Sequence, residues 1–177
     1  LCYFMNLGLY ICFNFILYCF IGWIIEGLYS LATTKRFKKE GFLKTPFKPM
    51  YGIAMTLLII FHEVFDIYGF PMLLLLILIP TTVEYISGYI LDHKFNKKYW
   101  DYSKKKYNLN SYICLKFSIY WTALTYIGIY LFQPIIRMIY ISSESILSKI
   151  TLLFLIIFLW DAYITLRTYS KSNVKLQ

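Results

Sequence analysis

An all-α, polytopic membrane protein is the fold class this sequence predicts, on three observations. Apolar runs recur at bilayer-spanning length, basic residues collect in alternate connections, and very few ionisable residues are left inside the runs. Residues 1–25 carry no charged side chain, nor do 67–83 or 117–136. A hydrocarbon core of about 30 Å needs roughly 20 mostly apolar residues. On that measure about five transmembrane helices are expected, over 3–33, 49–67, 72–92, 111–133 and 149–167, in one integral membrane domain, 1–177. Composition agrees, with 59% hydrophobic residues and a mean hydropathy of +0.59, more than the core of a soluble domain this size can absorb.

The first run has no basic leader, is too long for a signal core and is followed by no small-residue cleavage site, so it is expected to stay as a helix. The second is the weakest, because His62, Glu63 and Asp66 crowd its far end; it is expected to be short, tilted or re-entrant. Those three side chains have metal-ligand chemistry, but their place at a helix end predicts a solvated rim. DIYGFP (66–71) then breaks the chain with Gly69 and Pro71 before the third run.

The net charge of +9 would suit nucleic acid, but its distribution does not. Lys35, Arg36, Lys38, Lys39, Lys44 and Lys48 lie between the first two spans. Lys94, Lys97, Lys98, Lys104, Lys105 and Lys106 lie between the third and fourth, and Arg167, Lys171 and Lys175 follow the fifth. The other side holds only Arg137 and Lys149, with Lys116 inside the fourth span and expected to snorkel. This asymmetry predicts cytoplasmic loops at 34–48 and 93–110, the N-terminus outside and the C-terminus inside. Anionic lipid headgroups are the expected partners of those loops, and nucleic acid is not. Cys2, Cys12, Cys19 and Cys114 form no CxxC pair, so neither a metal site nor a structural disulfide is expected. The chain has no GxxxxGK[ST] motif, so ATP hydrolysis through a P-loop is not its own chemistry, and no cofactor is implied.

Ionisable residues inside a span are costly and mark function by default. Glu26 precedes Lys35 by nine residues, which at 1.5 Å per residue places it roughly 13 Å into the core. Glu84 lies at similar depth before Lys94, and Asp161 before Arg167. Tyr18, Gly22, Trp23, Glu26, Tyr29 or Ser30, and Thr33 share one helical stripe. Thr81, Glu84, Tyr85, Gly88 and Asp92 share another, and Asn110, Cys114, Ser118, Thr122 and Thr125, with Trp121 beside them, a third. The expectation is that these stripes meet in an inner-leaflet cavity lined by Glu26, Glu84, Trp23, Tyr85, Asn110, Cys114, Ser118 and Trp121. The blander alternative is that the glutamates are hydrogen-bonding glue between helices. Asp161 lacks a comparable stripe, and for it glue is the preferred reading.

Shifting the sequence by 58 residues lays Glu26 on Glu84, Arg36 on Lys94, Phe37 on Phe95, Lys39 on Lys97 and Phe42 on Trp100. This suggests a weak two-fold repeat of helix, basic loop and helix. In the second loop WDYS (100–103) stands between lysine clusters. Trp100 and Tyr102 suit the headgroup level, Asp101 suits a turn or cap where its carboxylate accepts backbone N–H groups, and Asn108 ties down the entry to the fourth span. Trp100, Asp101, Tyr102, Ser103 and Asn108 are therefore expected to form a lid, with Trp100 buried and Asp101 turned inward or paired with a neighbour.

FIGWIIE (20–26), GFLKTPFKPMYG (41–52), VEYISGYILDHKF (83–95), WDYS (100–103) and NLNSYICLKFSIYW (108–121) together resemble the CmpB-like family of bacterial membrane proteins, provisionally labelled ABC-transporter type IV. The chain departs from that pattern at Lys44–Thr45, where Asn-Gly is expected, and at Ser111 and Thr122, where Gly is expected. The resemblance implies a multi-pass protein of the bacterial plasma membrane and a transport role, with a separate ATPase subunit or a second copy of the chain as partner. Three functions stay open on the residues: a transporter-like subunit, an intramembrane enzyme acting on a lipid-linked substrate with Asp101 or Glu84 as acid or base, and a structural membrane protein.

Overall fold

The computed structural model describes residues 6–37 and 41–174, with side chains through Tyr169. Expectations resting on Cys2, Lys38, Lys39 and Lys175, and on the side chain of Lys171, lie outside these described residues. Five helices organise the chain: α1 (Leu7–Thr34), α2 (Pro49–Val64), α3 (Gly69–Phe95), α4 (Leu115–Ser142) and α5 (Glu144–Val174). A two-stranded hairpin, β1 (Asn108–Leu109) and β2 (Ile113–Cys114), precedes α4. Among the described residues four helices, α1, α3, α4 and α5, are long and apolar enough to cross a membrane, whereas α2 is shorter. The protein is thus an all-α membrane protein with four helices of spanning length and one short apolar helix.

Local chemistry sets the helix ends. Asn6 caps α1 by accepting the Leu9 N–H at 3.2 Å, and its own N–H donates to Glu144 Oε1 at 3.0 Å. Asn96 ends α3 in the left-handed region (φ 50°), a conformation its short polar side chain tolerates. Pro49 opens α2, where a missing N–H costs nothing. The last turn of α2 (Ile60–Val64) and a turn of α4 (Gly128–Phe132) are π-helical. The second ends two residues before Pro134, which cannot donate to the helix ladder.

The fourth span differs from its expected bounds of 111–133. Tyr107, Asn110 and Ser111 take positive φ, which folds 108–114 into the hairpin, with Asn108 opposite Cys114 and Leu109 opposite Ile113. The helix begins only at Leu115 and runs on through Ser142. Arg137, expected outside the span, therefore lies on α4, where its Nε is 3.8 Å from Glu63 Oε2. The Glu63 side chain is only 10% exposed, which corrects its reading as part of a solvated rim.

The chain packs as two compact units. In the first, which holds the chain up to Gly52 and from Ser143 onward, α1 and α5 flank the segment 41–48. Leu43 and Phe47 from that segment bury against Ile16 and Cys19, with Phe15, Phe42, Leu155, Phe158 and Ala162 packed around them. The Lys48 N–H donates to the Cys19 carbonyl at 3.0 Å, and Cys19 stands midway along α1. The connection expected as a basic loop over 34–48 therefore divides. Its second half re-enters between the helices, because Phe42, Leu43 and Phe47 make it too apolar to stay at a surface.

In the second unit, residues 53–142, α3 packs along α4 with the hairpin at their joined ends. Thr125 Oγ1 donates to the Leu76 carbonyl at 3.3 Å and to its own helix at Trp121 O.

Candidate functional site

Among the described residues, Glu26 of the first unit and Glu84 of the second each lie within a helix of spanning length, and each meets a side chain from the segment that follows its helix. Glu26 on α1 forms an ion pair with Lys48, the last residue of the re-entrant segment. The Lys48 side chain is 13% exposed and that of Glu26 28%. Lys48 therefore does not stand with the surface lysines among which it was counted. Gly22, one turn before Glu26, lies under the Tyr51 ring, which occupies the space a Cβ would need and so lets the first turn of α2 approach α1. Trp23 packs edge-on to Phe37 at 5.1 Å and stacks on Phe20.

Asp161 on α5 is 6% exposed and holds the tip of the same segment. Its Oδ2 accepts the Thr45 N–H at 2.7 Å and the Thr45 hydroxyl at 2.5 Å, while Oδ1 accepts from Thr165 at 3.3 Å. This three-donor anchor was missed in the sequence. Thr165, one turn along α5, was the available signal, but Thr45 is distant in the chain. A cavity of about 350 Å³ lies beside this tip and is lined by apolar side chains, among them Phe13, Leu17, Phe20, Phe47 and Phe154.

Glu84 on α3 is 2% exposed. The Tyr102 hydroxyl donates to its Oε1 at 3.0 Å, and the Trp121 indole on α4 is its second polar neighbour. Oε2 is buried without a hydrogen-bond partner. Tyr102 is itself 9% exposed, stacks on Phe117 at 4.7 Å and donates its backbone N–H to Ser111 O at 2.9 Å. Trp100 is half-buried, donates Nε1–H to Tyr112 O at 2.8 Å and lies against Gly88.

Tyr102, then, is the inward-facing residue of WDYS, and Asp101 is exposed. Asp101 accepts the Ser103 N–H at 2.8 Å, a hydrogen bond that holds its carboxyl below the usual aspartate range. Asn108 binds back to Lys105 O at 2.8 Å and accepts the Ser111 N–H, which fixes the turn. At the hairpin base the Tyr112 hydroxyl donates to Asp92 at 2.8 Å, and that bond, followed by burial, pushes the tyrosine up to about 12.

The stripe read as Asn110, Cys114 and Ser118 is not one helical face, since the first two belong to the hairpin. Asn110 donates to the Tyr85 hydroxyl at 2.8 Å, Cys114 is buried at the entry to α4, and Ser118 is half-buried on α4. Glu84, Tyr85, Asn110, Cys114, Ser118 and Trp121 thus all fall in the second unit, and Glu26 and Trp23 in the first.

No curated protein and no solved structure matches the chain significantly. A family model described as "Putative ABC-transporter type IV" matches residues 13–166. With its run of apolar helices and that match over most of its length, the chain belongs to this CmpB-like family of ABC-transporter-type membrane proteins.

Proposed function

We propose that the protein is a transporter-like integral membrane subunit of the bacterial plasma membrane, with Glu26 and Glu84, each within its own unit, as the acids on which transport depends. ATP hydrolysis comes from a separate subunit, since this chain has no P-loop motif. The observation that carries the reading is the re-entrant segment 41–48, which meets α1 at Cys19 and delivers Lys48 to Glu26. Non-helical backbone at membrane depth is tolerated only where protein or a water-filled cavity surrounds it, and broken helices beside charged side chains are how transporters build sites. For the intramembrane-enzyme alternative, the described polar neighbours of Glu84 are Tyr102 and Trp121, which do not make a nucleophile and base with it.

The test is purification of the tagged full-length chain from native membranes in a mild detergent, with identification of what accompanies it. A stoichiometric P-loop ATPase, whose turnover falls when Glu26→Gln and Glu84→Gln are combined, is the expected result. Purification alone, with no phenotype in the double variant, would overturn the reading in favour of a structural membrane protein.

A further inference from the structure

Glu26 and Glu84 occupy equivalent places in the sequence but are compensated differently. Lys48 supplies Glu26 with a countercharge inside its own unit. Among the described residues Glu84 has none: the groups acting on it are the Tyr102 hydroxyl and the Trp121 indole, both neutral. Tyr102 from the hairpin segment is the titratable group that faces it, and α4 offers only the non-titrating Trp121. Ionising this carboxyl in place would create a buried, unpaired charge, while Oε2 has no donor to receive.

We infer that Glu84 is a proton-binding site, closed towards the hairpin side by Tyr102. The cover is Tyr102, which is 9% exposed. Asp101 and Ser103, on either side of Tyr102, are both exposed, whereas the Tyr102 ring stacks on Phe117 and its hydroxyl meets the carboxyl. When the segment lifts, the Tyr102–Glu84 bond breaks and water reaches Oε1. The acid then gives its proton to that water, leaving a carboxylate and a hydronium ion; the reverse transfer reloads it before the cover closes. Use of this proton as a coupling ion rests on the transporter reading, but the proton site does not.

Infrared spectroscopy of the full-length chain in lipid vesicles tests it. At neutral pH the wild type should show a protonated-carboxyl C=O band that Glu84→Gln removes and Glu26→Gln leaves. On transfer to D2O that band should shift slowly in the wild type and several-fold faster in Tyr102→Ala. A Glu84→Gln variant that retains the band overturns the inference. So does an exchange rate that Tyr102→Ala leaves unchanged.

If Glu84→Gln fails to fold, the wild type is treated with dicyclohexylcarbodiimide, which modifies protonated carboxyls in apolar surroundings. Peptide mapping should then find the N-acylurea on Glu84 and not on Glu26. An adduct on Glu26 alone, or none on Glu84, would reject the site. These readouts need no ATPase partner, so they separate failure of the proton site from failure of the transport role.

Discussion

Lys48 reaches from the end of the re-entrant segment to the Glu26 carboxylate, placing both charges of an ion pair between α1 and the start of α2. Removing one partner leaves the other without its countercharge, which for fully buried pairs costs about 3–5 kcal/mol. Since Glu26 is 28% exposed, Lys48→Met is expected to cost less, about 2 kcal/mol after discounting for solvent. Glu26→Gln in the Lys48→Met background should recover part of that loss. Thermal unfolding in detergent checks both, and an additive double variant would refute the pairing.

Asp161 should matter more to the fold than its lack of a polar stripe suggests. Asp161→Ala strands the Thr45 N–H and two hydroxyls, and hydrogen bonds to a charged group are worth about 1.5–3 kcal/mol each. A loss of about 4 kcal/mol or more is expected, against about 1.5 kcal/mol for Thr45→Val, which keeps the backbone bond. Limited proteolysis within residues 41–48 should rise in the first variant and not in the second.

Gly22 and Gly88 should respond unequally to alanine. At Gly22 the new Cβ would overlap the Tyr51 ring, an overpacking expected to cost about 1–3 kcal/mol. At Gly88 it would stand 3.1 Å from Tyr112 Cδ1 and 3.2 Å from Trp100 Cζ2, tight but movable, and the cost should stay below about 1 kcal/mol. Equal melting temperatures for the two variants would contradict this packing.

Within WDYS, Tyr102→Phe should perturb the protein more than Asp101→Ala, since Tyr102 is buried on Glu84 and Asp101 is exposed. The folded carboxyl of Asp101 lies below its ordinary 3.8, so its contribution is present above that value and lost as pH falls through the lower folded value. The small difference between wild type and Asp101→Ala should therefore vanish in acid. Melting curves as a function of pH would show it, and a difference that grows on acidification would reverse the sign.

The basic connections predict an inside location for the hairpin segment. In a background without native cysteines, Lys105→Cys should resist an impermeant thiol reagent applied to intact cells, while Ser143→Cys should react. The opposite pattern would invert the topology and move Glu84 to the other leaflet.

Apolar runs, the punctuation at 66–71 and the distribution of lysines are local properties, and they were enough to read an all-α membrane protein with a weak second helix. Hydropathy acts residue by residue through transfer to lipid, so helices of this length are visible without tertiary contacts. Glu26 and Glu84 were also legible, because a carboxylate in an apolar run stands out by itself.

What each carboxyl meets was decided by the tertiary structure. Lys48 read as one more surface lysine until Leu43 and Phe47 buried the segment that carries it. Asp161 reads in the sequence as hydrogen-bonding glue with no partner named, and the same burial brings Thr45 to it. Asn110 and Cys114 kept helical spacing on paper, but positive φ at Tyr107, Asn110 and Ser111 turned them into a hairpin that sets Tyr102 on Glu84. These partners lie far apart in sequence, and apolar burial, which specifies no particular pairing, brings them together. Only the folded chain therefore shows that Glu26 meets a lysine and Glu84 a tyrosine hydroxyl and an indole.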